Sequence, residues 1–190
     1  MSFASGVFYA LAVLLGLAGV AKLRRPAGAT RALDRLHPPG WNVVGQLPIA
    51  RLLGVAEVII AVSAVVNGGR AWAVVLTVVY LAFTAVCWRL AAGPDTDCGC
   101  FGVEGSPVSR VHVWVDVGFT ASAAVTVIAP AEGIGADLAA GPAGLVLLAE
   151  VAVLVSLGFV LFTAFPELVA ARRAATAKAG QHTAPSVRAT

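Results

Sequence analysis

The chain has 190 residues, of which 59% are hydrophobic and only 12% charged, with a mean hydropathy of +0.89. A soluble domain carries about 25% charged residues, so this chain has too little polar surface to coat a globule in water. Its net charge of +3 comes without a stripe of basic residues mixed with aromatics, which excludes a nucleic-acid binder, and no Gly-rich phosphate loop, nucleophile elbow or haem motif occurs.

Five stretches approach the about 20 apolar residues that a spanning helix needs: 3–20, 47–66, 71–88, 111–129 and 142–165. Only helices satisfy all their backbone groups within one segment in a lipid bilayer, so the expected fold is all-α, a multi-pass transmembrane bundle. Span one is expected to be a spanning helix rather than a signal peptide. It lacks a basic region before it, and Lys22, Leu23, Arg24 and Arg25 after it make no small-residue cleavage site. The following "RRPAGATRALDRLHPPGW" puts Ala29, Leu33 and Leu36 on one helical face, with Arg31, Asp34 and Arg35 away from it. That suits either a short headgroup-layer helix ended by Pro38-Pro39 or a solvated loop.

Span two carries Pro48 and Arg51 near its start and Glu57 inside it, in "GVAEVIIAV". An ionised group in the bilayer centre costs about 2.5–3.5 kcal/mol on insertion scales, so it calls for a partner or a role. Lys22, at the end of span one, is the candidate partner. Cys87 closes span three. His112 and Asp116, four apart, share a face near the start of span four. They can pass a proton, since histidine titrates near neutrality, or Asp116 and Glu57 can simply fix the packing. Glu150 lies early in span five. Trp41, Trp72, Trp88 and Trp114 fall near span ends, as an aromatic belt places them. Residues 1–170 form one transmembrane domain in this reading, and 171–190 a disordered tail.

Of the 13 basic residues only Arg70 lies on the side opposite the rest. By the positive-inside rule the basic side is cytoplasmic. The N-terminus is then expected outside, and the C-terminus and the loop between spans three and four inside.

That loop reads "TDCGCFGVEG". Two residues apart, Cys98 and Cys100 are held within about 7 Å, near the upper limit of about 6.8 Å for a disulfide. Gly99, lacking Cβ, gives the small ring its freedom. A strained, exposed disulfide gives up its oxidation readily, so the chemistry indicated is thiol–disulfide exchange. Cys87 can relay oxidation to the pair, or can be a small apolar residue and nothing more. Two other readings stand beside exchange. Cys-x-Cys can hold a soft metal such as Cu(I), although Cys87, Asp95, Asp97 and His112 offer no recognised metal spacing. The pair can also be part of a purely structural turn in a membrane assembly or scaffold protein.

"LAGVAKLRRP", "LLGVAEVIIA" and "CGCFG", in that order, resemble the methylamine-utilisation MauE family, related to the DoxX-like membrane proteins. The resemblance implies a core of about four membrane helices, here with an extra C-terminal span. It also implies a part in disulfide formation during maturation of methylamine dehydrogenase, beside a thioredoxin-like partner. The redox pair then falls on Cys98 and Cys100, with Gly99 between them and Phe101 and Gly102 completing the motif. Lys22 and Glu57 match the polar helix positions. An arginine–asparagine pair expected in the fourth span is replaced by "WVDVG", with Asp116. A quinone-type electron acceptor is compatible with such a protein, but no motif names one. Maturation of an exported enzyme would place the cysteines outside. The charge count places them inside, where thiols are kept reduced.

Overall fold

The structure, a computed structural model, describes residues 3–36, 45–93, 110–139 and 141–182. The described residues are helical: α1 (Phe3–Arg24), α2 (Ala27–Leu36), α3 (Gln46–Asn67), α4 (Gly69–Ala91), α5 (Arg110–Ile128), α6 (Ile134–Leu138) and α7 (Pro142–His182). Five of them, α1, α3, α4, α5 and α7, are long and apolar enough to cross a membrane. The protein is an all-α, multi-pass membrane protein.

The spanning helices are apolar all round, so hydrophobicity does not mark their inner faces. Residue size does in α3. Its buried residues are Ala50, Gly54, Glu57, Ala61 and Ala64, a stripe at helical spacing in which every member but Glu57 is small. Small residues let helix backbones approach in lipid, where packing replaces the hydrophobic drive. Against this stripe lie Gly16 and Gly19 of α1. A Cβ on Gly19 would stand 2.6 Å from the Gly54 carbonyl oxygen, and one on Gly54 would stand 2.8 Å from the Gly19 carbonyl oxygen. The two backbones therefore touch, and α1 and α3 run antiparallel.

Helix α1 is the centre of the bundle, packed against α3, α5 and α7. Its most apolar stretch is 61% buried within the protein, against 11% for α7, which sits at the periphery. Phe8, Tyr9, Leu14 and Leu15 of α1 are among the largest fully buried side chains. Helices α4 and α5 form a second antiparallel pair. Their buried residues again follow one face: Ala73, Leu76, Tyr80, Cys87 and Leu90 on α4, and His112, Val113, Asp116, Ala123 and Thr126 on α5. On α7 the buried stripe is thin and runs through Gly144, Leu147 and Gly158.

The end of the bundle opposite the basic residues is closed by backbone. Gly68, between α3 and α4, has φ +59°, and Gly133, after α5, has φ +107°. Both conformations favour glycine. A Cβ on Gly68 would collide with the Gly133 amide nitrogen, and one on Gly133 would lie 2.7 Å from the Val66 carbonyl oxygen. Gly69 N–H donates to the Ala131 carbonyl at 2.6 Å. Close by, the Tyr9 hydroxyl donates to Asp137 Oδ2 of α6 at 2.7 Å.

Two segments differ from or narrow the sequence expectation. Of the two readings for residues 27–36, the helix is the one found. Gly28, Ala29 and Ala32 are buried, Leu33 and Leu36 half-buried, and Arg31, Asp34 and Arg35 exposed. Helix α7 continues to His182, past the predicted span end at 165 and into the stretch assigned to a disordered tail. The residues from Ala170 to Ala179 are mostly alanine with Arg172, Arg173 and Lys178, all strong helix formers, so the helix propagates once the span has nucleated it.

Candidate functional site

Cys98, Gly99, Cys100, Phe101 and Gly102 lie outside the described residues, in the segment that joins α4 to α5. The structure defines the two flanks of that segment. The Thr84 and Thr120 hydroxyls meet at 2.9 Å and so set the register of α4 against α5. Each also lies within bonding distance of a carbonyl of its own helix, Tyr80 at 3.0 Å and Asp116 at 2.9 Å, so the hydroxyl that donates across the seam gives up its carbonyl and the other keeps it. One turn from this contact toward the loop lie Cys87 on α4 and Asp116 on α5, at similar depth. His112 is one turn nearer the loop on the same face as Asp116. Cys87 is 0% exposed, Asp116 2% and His112 6%. Such burial keeps the Cys87 thiol from attacking a disulfide that arrives from solution.

The structure brings Lys22 and Glu57 together. Lys22 Nζ donates to Glu57 Oε2 at 2.7 Å, joining α1 to α3. Both residues are about 5% exposed or less. The Lys22 ammonium also lies 5.1 Å from the centre of the Phe83 ring of α4, close enough for a cation–π attraction. A buried ion pair gains little net stability over apolar replacements, but removing one partner strands a charge, at about 3–5 kcal/mol. The pair therefore acts as a register pin between the two helices.

Tyr80 was not among the residues singled out by the sequence. Its hydroxyl donates to the Leu11 carbonyl of α1 at 2.8 Å, and its ring meets Phe83 edge-on and lies near Phe119, each with centroids 6.0 Å apart. A tyrosine in the middle of a spanning helix is the signal that could have found it, since its hydroxyl must be satisfied inside lipid. The Glu150 carboxyl of α7 sits over Gly6 of α1, filling the space where a Cβ would be. Trp88 and Trp114, 67% and 72% exposed, stand on the outer faces of α4 and α5 near the loop. Among the described residues no group of three or more His, Cys, Asp or Glu side chains converges as metal ligands would.

The basic half of the bundle thus holds a buried ion pair between α1 and α3, and a buried acid, imidazole and thiol on α4 and α5, the two helices that the cysteine-bearing segment joins. A family model described as methylamine utilisation protein MauE matches residues 1–129, which takes in α1 to α5. No curated protein and no solved structure matches the chain.

Proposed function

The chain belongs to the MauE family, and from that membership we propose that it carries out thiol–disulfide exchange at the membrane through Cys98 and Cys100, supporting the maturation or redox control of a partner protein. The observation that carries this reading is the position of the pair. The chain places two cysteines around one glycine in a segment whose ends are fixed by two adjacent helices, α4 and α5, held in register by the Thr84–Thr120 contact.

In the exchange, a thiolate of one protein attacks a sulfur of the other's disulfide and a mixed disulfide forms. The neighbouring cysteine then attacks and releases the first partner. A thioredoxin-like protein is the partner class this reading calls for. With the basic residues on the cytoplasmic side of the cell membrane, the pair faces the cytoplasm and Lys22 and Glu57 lock the helix bundle below it. A role in methylamine metabolism follows from the family description and awaits a substrate protein.

Thiol trapping of the full chain in native membranes tests the reading. Maleimide should tag neither Cys98 nor Cys100 in the oxidised protein and both after mild reduction. Cys98→Ser or Cys100→Ser should accumulate mixed disulfides, because the remaining thiol has no neighbour to release it. Permanently reduced thiols, together with a double Cys98→Ser, Cys100→Ser variant that retains its cellular role, would replace exchange with the scaffold reading. A reporter fused after Arg173 and another within 130–135 fix the side of the loop. Activity of the first on the cytoplasmic face alone is the expected result.

A further inference from the structure

Within the bundle, one turn below His112, lies a cavity of about 10 Å3, lined by Leu14, Leu15 and Ala18 of α1, Tyr80 and Phe83 of α4, Asp116 of α5 and Phe162 of α7. A space of about 10–15 Å3, measured by where the centre of a water-sized sphere fits, holds one water molecule when polar groups line it. Asp116 supplies carboxyl oxygens. Tyr80 gives its own proton to the Leu11 carbonyl, which leaves lone pairs on its oxygen to accept from a water. The rest of the lining is apolar. Phe83 in turn lies 5.1 Å from the ammonium of Lys22, which is bound to Glu57.

One wall comes from outside the family-matched stretch. Phe162 of α7 stacks on Phe119 of α5, with ring centroids 5.2 Å apart and planes 23° from parallel. One turn earlier, Gly158 of α7 makes room for the Leu14 side chain, whose Cδ1 lies 2.6 Å from where a Cβ would be. The peripheral helix thus adds an aromatic ring to the lining shared with the buried Asp116.

We propose that this cavity is a one-water site, held by Asp116 and Tyr80 and covered by Phe162, that takes the proton released when a loop thiol becomes a thiolate. The role assigned to the water rests on the exchange reading above; its presence does not. The step is a proton transfer only. The thiol S–H bond breaks, the proton passes by way of His112, and an O–H bond forms at the water or the Asp116 carboxyl while the electron pair stays on sulfur. Tyr80 of α4 lines the cavity with Asp116, and the other buried titratable groups of this half of the bundle are Lys22 on α1, Glu57 on α3, Cys87 on α4 and His112 on the same helix as Asp116.

Infrared spectroscopy of the reconstituted full chain, exchanged between ordinary and oxygen-18 water, tests the site. An internal water should give one isotope-sensitive O–H band. Ala18→Val, which fills the cavity, should remove that band, whereas Ala18→Gly, which enlarges it, should keep it. Asp116→Asn should shift it by weakening the hydrogen bond. Absence of the band from the native protein, or a band untouched by Ala18→Val in protein that melts normally, overturns the water site. The alkylation rate of the reduced loop thiols at fixed pH tests the role, and should fall severalfold in Ala18→Val. An unchanged rate with the band gone overturns the proton role. In a Cys98→Ser, Cys100→Ser variant the band should persist, so failure of the exchange reading leaves a separate signature from failure of the water site.

Discussion

Helix α1 is gripped on two sides by seams of different construction. Toward α3, backbone meets backbone at Gly19 and Gly54, and the Lys22–Glu57 ion pair pins the register. Toward α7, the contacts are side-chain tips entering glycine notches, Glu150 over Gly6 and Leu14 over Gly158. Backbone cannot move aside without shifting a whole helix, whereas the end of a side chain can rotate away. The first seam lies wholly within the MauE-matched residues 1–129, and the second attaches a helix from outside them. The difference separates a rigid inherited core from an adjustable attachment.

The largest effect should come from breaking the pin. Glu57→Leu strands the Lys22 ammonium and should destabilise the bundle by about 3–5 kcal/mol, read as a loss of unfolding free energy in bicelles. Lys22→Met should cost a similar amount, and Glu57→Gln less, because a hydrogen bond survives. In a double-mutant cycle, Glu57→Leu combined with Lys22→Met should cost less than either change alone, because no charge is left stranded. Strict additivity would dissolve the pin and make the two seams alike.

Next comes the backbone contact. Gly54→Ala must push α1 from α3 and should cost about 1–3 kcal/mol, the range for overpacking. Tyr80→Phe tests how much a single polar tie to α1 matters beside packing. Removing its bond to the Leu11 carbonyl should cost about 0.6 kcal/mol, the average for such contacts between membrane helices. Gly158→Ala should have the smallest effect, under about 0.5 kcal/mol, since the Leu14 tip can turn. Equal melting-temperature shifts for Gly54→Ala and Gly158→Ala would break the comparison outright.

Much of the fold was legible because lipid imposes simple rules. Length and hydropathy alone mark the five helices, and the cost of an isolated charge in lipid links Lys22 to Glu57 before any coordinates. The inner faces were harder to see. In α3, small residues at 50, 54, 61 and 64 carry the signal rather than polarity, and a reading based on hydropathy passes over them. Helix α6 has five residues and lies in a stretch with no periodic pattern long enough to announce it. The Tyr80–Leu11 tie joins residues 69 apart in sequence, and only the folded bundle brings them together. For the candidate site, the cysteine motif is plain in the sequence, while the grouping of Asp116, Tyr80, Ala18 and Phe162 around one cavity depends on four helices meeting.

The joint between Gly68 and Gly133 has a mechanical consequence. It ties α3, α4 and the loop after α5 into a common root, and the cysteine-bearing segment hangs from the far tips of α4 and α5. A helix of 23 residues such as α4 makes a lever about 34 Å long. A tilt of about 3° at the root would carry its tip through about 2 Å, the scale of one bond length or so. The α4 tip that leads into the loop is therefore the end of a lever clamped at its base, where a small rotation at the root becomes a displacement on the scale of a chemical bond.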